Sequence, residues 1–487
     1  MSELYELRRA ARVIFDDALR AVDARRAVLD SIETESARLR VCDTEFDLRA
    51  RPMKIYSVAT GKAAAAMASA LDERLGERLA GGVLSAPPSD LKSATNLRLG
   101  ARWRVFAGGH PLPDESSLEA ARAAFKLLSA ANDAGGIACD AASATDDAGS
   151  LVIFLVSGGG SAMLEWPRDA RLTLADLRET NRLLVSCGAG ITEVNAVRRA
   201  LSAVKGGGLA SRAPRAAQLT LIVSDVGAGR ERDVASGPTL TPPPGTPAVK
   251  EIITRYKLAA RLPANVLRAL EEHDARTSNA GSSNVETSET ERAGSLRRHY
   301  VVLDNARACE AAVESARARG FAVEFARDLD EQPVDEGAAS LVARLEGLQR
   351  RAGAGRVCLI SGGEFACPVR GAGIGGRNAE TALRCAFEFE KIARARASEA
   401  TRQEMPEETL RPMVALCAGT DGVDGNSPAA GALADTTTLA RARGMNLDGL
   451  KFLEESDAYG LFRRLGDALI TGPTGTNVRD LRILLRG

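Results

Sequence analysis

Aromatic side chains are scarce in this sequence: of 487 residues, 12 are Phe, 5 Tyr and 2 Trp. That is too few to build base-stacking platforms. There is also no excess charge, since 64 Lys and Arg balance 64 Asp and Glu, whereas a nucleic-acid binder ordinarily carries a basic stripe. No nucleic-acid partner is expected. Long apolar runs are missing too. The longest is LVIFLV at 151–156, strand-sized and far short of the roughly 18 residues that mark a membrane span, so no membrane partner is expected. The eight cysteines stand singly, with no CxxC pair. This argues against a zinc cluster and fits small buried hydrophobes in a reducing compartment. The N-terminal stretch has no secretory hydrophobic core and carries Glu3, Glu6, Asp16 and Asp17. It reads as an amphipathic helix rather than a transit peptide, and a cytoplasmic location is expected.

Several catalytic signatures are absent as well. There is no GxxxxGK[ST], no HRD or DFG, and no GxSxG, which removes P-loop NTPases, protein kinases and α/β-hydrolases. GAGIGG at 371–376 matches GxGxxG in form. The residues about twenty further on lie in a charged helix rather than at a strand end, so the acid that would hold a ribose is missing.

What the sequence does contain is ordinary globular composition, 45% apolar and 26% charged. Its length predicts two or three domains. Apolar strand-like runs (54–58, 103–106, 151–156, 219–226, 300–305, 321–325, 357–363, 413–419 and 467–472) alternate with amphipathic helical stretches. This pattern predicts an α/β fold with parallel sheets covered on both faces. Three stretches read as loops or insertions: 133–150, the polar low-complexity segment 274–297, and 397–411. TPPPGTP at 241–247 marks a boundary. The expected division is a domain at 1–245, a linker with its insertion at 246–298, and a second domain at 299–487, whose segment 471–487 is a candidate to pack back on the first.

Seven glycine clusters punctuate the chain, most of them at the ends of apolar strands: SGGGSA, KGGG, SDVGAG, SGGE, GAGIGGRN, AGTDGVDG and TGPTGTN. One such loop is only a tight turn. Seven suggest phosphate or nucleotide binding, because glycine lets backbone N–H groups converge on an anion. The candidate cofactor contacts are Ser157, Gly158, Gly159, Gly160, Ser161, Lys205, Gly206, Gly207, Gly362, Gly363, Glu364, Gly375, Gly376 and Asn378. Lys62 and Arg377 stand where helices are expected to begin, and a cation there opposes the helix dipole, which suggests a job. The plain alternative for Lys62 is solvation. Asp225 ends a buried strand, and Asp421 and Asp424 are spaced to present two carboxylates to magnesium; turn capping explains them equally well. His110, in GGHPLPD and one of three histidines, is either a substrate contact or a loop histidine bonded to backbone.

The ordered motifs GKAAAAMA, GGHPLPD, VSGGGSAM, VNAVRRALSAVKGGGLA, SDVGAGRERDVASGPT, LISGGE, GIGGRNAE, AGTDGVDGNSPAAGA and TGPTGTNVRDL together resemble the glycerate 2-kinase family with its MOFRL C-terminal domain. The resemblance covers nearly the whole chain outside the three insertions. It implies phosphorylation of D-glycerate at the 2-hydroxyl, with ATP and Mg2+ as cofactors, giving 2-phosphoglycerate and ADP. It also implies a Rossmann-like three-layer α/β/α first domain, a smaller α/β second domain, and a site in the cleft between them. The family's proposed active-site lysine and arginine map onto Lys62 and Arg377. Substrate contacts fall on His110, Asn195 and Arg198, and metal ligands on Asp225, Asp421 or Asp424. The chain departs from the pattern at GAGRER (227–232) and in placing Pro167 after Glu165 and Trp166, which bears on fine substrate contacts. Two other functions compete: an NAD(P)H-dependent hydroxypyruvate reductase, against which the missing ribose acid counts, and a non-catalytic sugar-phosphate-binding module.

Overall fold

The computed structural model describes residues 2–49, 53–93, 99–135, 149–280, 296–353, 355–403 and 411–487. The chain forms two compact units, one of Ala24–Leu303 and one that joins Met1–Asp23 to Asp304–Gly487.

The first unit is built on six strands, Lys54–Thr60, Leu79–Ala86, Trp103–Ala107, Ser150–Ser157, Ala217–Val223 and Arg297–Leu303. All neighbouring pairs are parallel. In space the strands run third, second, first, fourth, fifth, sixth, the doubly wound Rossmann order. Strands Ser150–Ser157 and Ala217–Val223 are buried at every residue, so their sequences are continuous apolar runs rather than alternations. Val58, Val83, Val152 and Phe154 pack against Ala120, Ala124 and Leu128 of the helix Glu115–Ala134. The order reverses between Lys54–Thr60 and Ser150–Ser157, and the crevice beyond those two strand ends is where such sheets hold ligands.

The second unit carries a mixed sheet, which departs from the all-parallel expectation. Its strands lie in the order Ala322–Ala326, Val357–Gly363, Asp480–Arg486, Met413–Gly419, Gly431–Asp435, Ala468–Leu469. Only the first pair is parallel; the others are antiparallel. The strand Asp480–Arg486 sits in the middle and is buried throughout, although three of its seven residues are charged. Arg482 stacks 3.7 Å over the Phe365 ring, and Arg486 pairs with Glu346. These partners let a charged sequence occupy a central strand. The last segment therefore completes the second unit's own sheet.

The unit boundaries also differ from the expected division. Leu7, Ala11, Ile14, Phe15 and Ala18 line one face of the helix Glu3–Ala21 and join the cluster of Ala312, Ile483 and Leu485, so the N-terminal helix belongs to the second unit. Much of the expected linker is core: Ile252 and Ile253 of the helix Val249–Arg255 and Leu270 of the helix Ala264–Ala280 pack with Leu184 and Val197. Of the three expected insertions, residues 281–295, 136–148 and 404–410 lie outside the described residues; the parts before them continue helices, and Ser150 and Arg297 open strands. Among the described residues no helix is long and apolar enough to cross a membrane.

Candidate functional site

At the reversal point the two strand ends are stitched together. The Lys62 amide donates to the Gly158 carbonyl at 2.9 Å, and the Ala63 amide donates to Ser157 Oγ at 3.0 Å. Ser157 is fully buried. Its hydroxyl joins two turns instead of meeting a cofactor, which corrects the reading of that residue. Lys62 is half-buried on this seam, two residues before the helix Ala64–Leu75 rather than at its first position. Gly158 closes against the next strand end: a Cβ there would lie 1.8 Å from Asp225 Oδ2. Gly158→Ala should therefore displace Asp225, a candidate site carboxylate, and because a misplacement of about an ångström within a site costs about a hundredfold, activity should fall at least tenfold. Steady-state kinetics beside a thermal melt checks this.

Next to the seam lies a cavity of about 250 Å³, with His110, Gly159, Ser161, Asn195, Arg198, Lys205 and Asp225 in its lining. The structure thus brings together seven residues that the sequence had placed in four separate motifs. Lys62 is not part of that lining. A hydrogen-bond chain braces one wall. Ser161 Oγ meets Ser236 Oγ at 2.9 Å, Ser236 Oγ donates to Asn195 Oδ1 at 2.9 Å, and Asn195 Nδ2 donates to Asp233 Oδ1 at 3.2 Å. Arg199 pairs with Asp233 at 2.8 Å. Asn195 thus spends both ends of its carboxamide on the wall.

Lys205 is almost wholly buried and ion-paired to Glu165, which also accepts from Ser202 Oγ at 2.5 Å and from the Trp166 amide at 2.9 Å. Burial pushes the Lys205 ammonium below its usual range, and Glu165 only partly offsets this. Arg198 is lowered for the same reason, again opposed by Glu165, and its Nε donates to Asn181 Oδ1 at 2.9 Å. The glycines after Lys205 do not serve as an anion cradle as expected. The Gly206 and Gly207 amides donate to the carbonyls of Ser236 and Gly237 at 3.2 and 2.8 Å, so they tie two loops together.

In the second unit Arg377 opens the helix Arg377–Gln403. Its Nε donates to Asp480 Oδ2 at 2.7 Å and Nη2 lies 2.8 Å from Glu364 Oε1. Burial works against its charge, but Asp480 and Glu364 overcome that and hold the guanidinium protonated more firmly than usual. Asn378 Nδ2 donates to Asp480 Oδ1 at 2.9 Å. The Asn378 and Ala379 amides donate to the two oxygens of Asp424 at 2.9 and 2.8 Å, and a Cβ on Gly376 would lie 2.3 Å from the same carboxylate. Asp424 is therefore the clasp on the helix start, where orphan amides need an acceptor. It is not half of a metal pair with Asp421, which accepts from the Val423 amide at 3.1 Å. Burial raises the Asp424 carboxyl to about 7 against those amides. The Gly363 and Glu364 amides are likewise committed, to Asn305 and Asp330 at 2.9 and 2.8 Å, and that of Gly375 goes to Asn426 at 2.8 Å. A Cβ on Gly362 would lie 1.8 Å from Asn305 Oδ1. These glycines serve packing. Among the described residues no three His, Cys, Asp or Glu side chains are grouped to hold a metal.

Sequence reasoning did not foresee Glu165, Asp233 and Ser236 in the first unit, or Asp330 and Asp480 in the second. Glu165 carried a signal, an acid set among apolar neighbours in AMLEWP. The others look like ordinary loop residues.

A family described as "Domain of unknown function (DUF4147)" matches residues 10–271, and the MOFRL family matches residues 357–480. The chain belongs to the glycerate 2-kinase family with a MOFRL domain. "Glycerate 2-kinase" from Pyrococcus horikoshii is 31% identical, with 99% of this chain and 97% of that protein covered. "D-glycerate 2-kinase" from Thermotoga maritima is 30% identical, over 88% and 90%. An Agrobacterium vitis relative bearing a provisional hydroxypyruvate reductase name is 34% identical, over 88% of this chain and 98% of its own length. Among solved structures, that of T. maritima glycerate kinase superposes with a TM-score of 0.74 at 27% identity, covering 99% of this chain and 100% of that one.

Proposed function

We propose that the protein is a glycerate 2-kinase that transfers a phosphoryl group from ATP to the 2-hydroxyl of D-glycerate. The observation that carries this reading is the near-full-length similarity to the Pyrococcus protein of that name. The cavity of about 250 Å³ at the reversal point supports it, since that volume suits a three-carbon acid better than a dinucleotide. Arg198, steadied by Asn181, is placed to take the glycerate carboxylate in its guanidinium fork. The Lys205–Glu165 pair braces the wall behind it. His110 and the Asn195–Ser236–Ser161 chain orient the hydroxyl. The short helix Gly160–Met163 begins at Gly159 without a side-chain cap, so the Gly159–Ser161 turn is the strongest of the glycine loops as a phosphate contact.

For magnesium, Asp225 fits as a single carboxylate beside that turn, because magnesium at phosphoryl-transfer sites takes few protein ligands and completes its shell with phosphate oxygens and water. Asp424 does not fit, since both its oxygens accept backbone amides. Bound there, magnesium would neutralise charge on the transferred group. A separate general base is not required, because phosphoryl transfer rests on positioning and charge stabilisation. The protein is proposed to act on small molecules in the cytoplasm.

The first unit has the strand order of dinucleotide-binding folds, which would suit a hydroxypyruvate reductase, yet the turn after the first sheet strand reads TGKAAAAMA, without the glycine fingerprint. One assay separates the readings. ADP should be released with D-glycerate, phosphorus NMR should show 2-phosphoglycerate, and NADH should not be oxidised with hydroxypyruvate. A main product of 3-phosphoglycerate, or NADH oxidation in place of ADP release, overturns the proposal.

A further inference from the structure

A groove of about 610 Å³ in the first unit, lined by Arg168, Asp169, Ala200, Ala269, His273 and Arg276 among others, stands apart from the cavity already described. None of these six residues lines that cavity. A neighbouring hollow of about 630 Å³ shares Arg168 and His273 and adds Lys250. Three carboxylates lie nearby: Asp169 and Glu272 both bind Arg171, at 2.9 and 2.7 Å, and are also stabilised by the charge of Arg276, while Asp274 accepts from the Lys250 amide at 2.7 Å. Arg168 is anchored by uncharged acceptors, donating to the carbonyls of Ser202 and Arg199 at 2.7 and 3.2 Å, and among the described residues no carboxylate is paired with it. Burial lowers the Arg168 guanidinium, and Arg276 and Arg212 lower it further. Burial likewise lowers His273, with Arg168 adding to the shift and Asp274 opposing it. A half-buried guanidinium met only by carbonyl oxygens is better stabilised by an anion in the groove beside it. A phosphate group supplies close to two negative charges near neutral pH and oxygens that match an arginine fork.

We infer that this groove is a second anion site, which takes a small phosphate-bearing ligand between Arg168, His273 and Arg276. The ligand is not a reactant there, because the groove has no glycine turn and its one lining acid is bound to Arg171. The site does not depend on the kinase reading. Through Arg168 it touches the backbone of Arg199 and Ser202, at the end of the helix Ile191–Leu201 that presents Asn195 and Arg198.

Calorimetric titration of the full chain with inorganic phosphate, and separately with glycerol phosphate, tests this in an Arg198→Ala background that weakens binding in the catalytic cavity. Binding should persist in that background. It should then weaken at least tenfold on adding Arg276→Ala or His273→Ala, and the tighter of the two probes tells a free ion from an ester. Arg276 is exposed, so Arg276→Ala should fold, and alone it should keep turnover within about twofold. Absence of binding in the Arg198→Ala background, or binding that neither further substitution weakens, overturns the inference.

Discussion

Arg377→Ala should cut turnover by about a hundredfold or more while leaving the second unit folded. A preorganised donor aimed at developing negative charge is worth roughly 3–4 kcal/mol in the barrier, which corresponds to that factor. For the role proposed for it, Arg377 is held in place by Asp480 and Glu364 from two sides, and a third of the side chain stays exposed (36%). Its firm protonation means that the charge is present at any working pH. Arg377→Lys should recover only part of the activity, because one ammonium cannot reproduce a planar fork that bridges two carboxylates. Circular dichroism and a thermal melt run beside the kinetics separate loss of chemistry from loss of fold. Near-normal turnover in the alanine variant would remove Arg377 from the mechanism. Lys62→Ala is expected to act in the same direction, since Lys62 lies on the seam of the first unit.

Glu165→Ala should destabilise the first unit by about 3–5 kcal/mol, because it leaves a buried ammonium without its counter-charge. Lys205 and Glu165 are both buried, at 1% and 6% exposure, so solvent cannot replace the lost partner. Urea unfolding at pH 7 measures the loss, and a change below about 1 kcal/mol, the level of an exposed pair, would show that the pair is not needed. The pH dependence has a definite sign. Lys205 is depressed below its unfolded value of 10.5. Its full contribution to stability is therefore present above that value and is lost as the pH falls through the folded value. Removing Glu165 depresses the folded value further, so the variant should regain more stability than the wild type as the pH is raised from 7 towards 10.

The sequence by itself determined the α/β class, five of the six strands of the first sheet (all but Leu79–Ala86), and the family. These follow from local information: apolar runs such as LVIFLV can only be buried strands, and nine ordered motifs leave little freedom of assignment. It also marked Lys62, His110, Arg198, Asp225 and Arg377 as candidates, since charged groups at strand and helix ends are costly without a role. It could not tell a glycine that frees amides for a ligand from one that lets two chain segments touch. Gly158 and Gly376 are both glycine because a carboxylate from elsewhere in the chain, Asp225 or Asp424, presses against the backbone. That contact exists only in three dimensions.

Tertiary structure alone also decided that Asp424 clasps a helix, that Ser157 splices two turns, and that Glu165 lies under Lys205. It placed the charged strand Asp480–Arg486 in the centre of a sheet and the helix Glu3–Ala21 in the unit formed mainly by the other end of the chain. In each case the deciding partner lies far along the sequence. Residues 158 and 225, or 376 and 424, meet because sheet order brings them together, and no local pattern records that order.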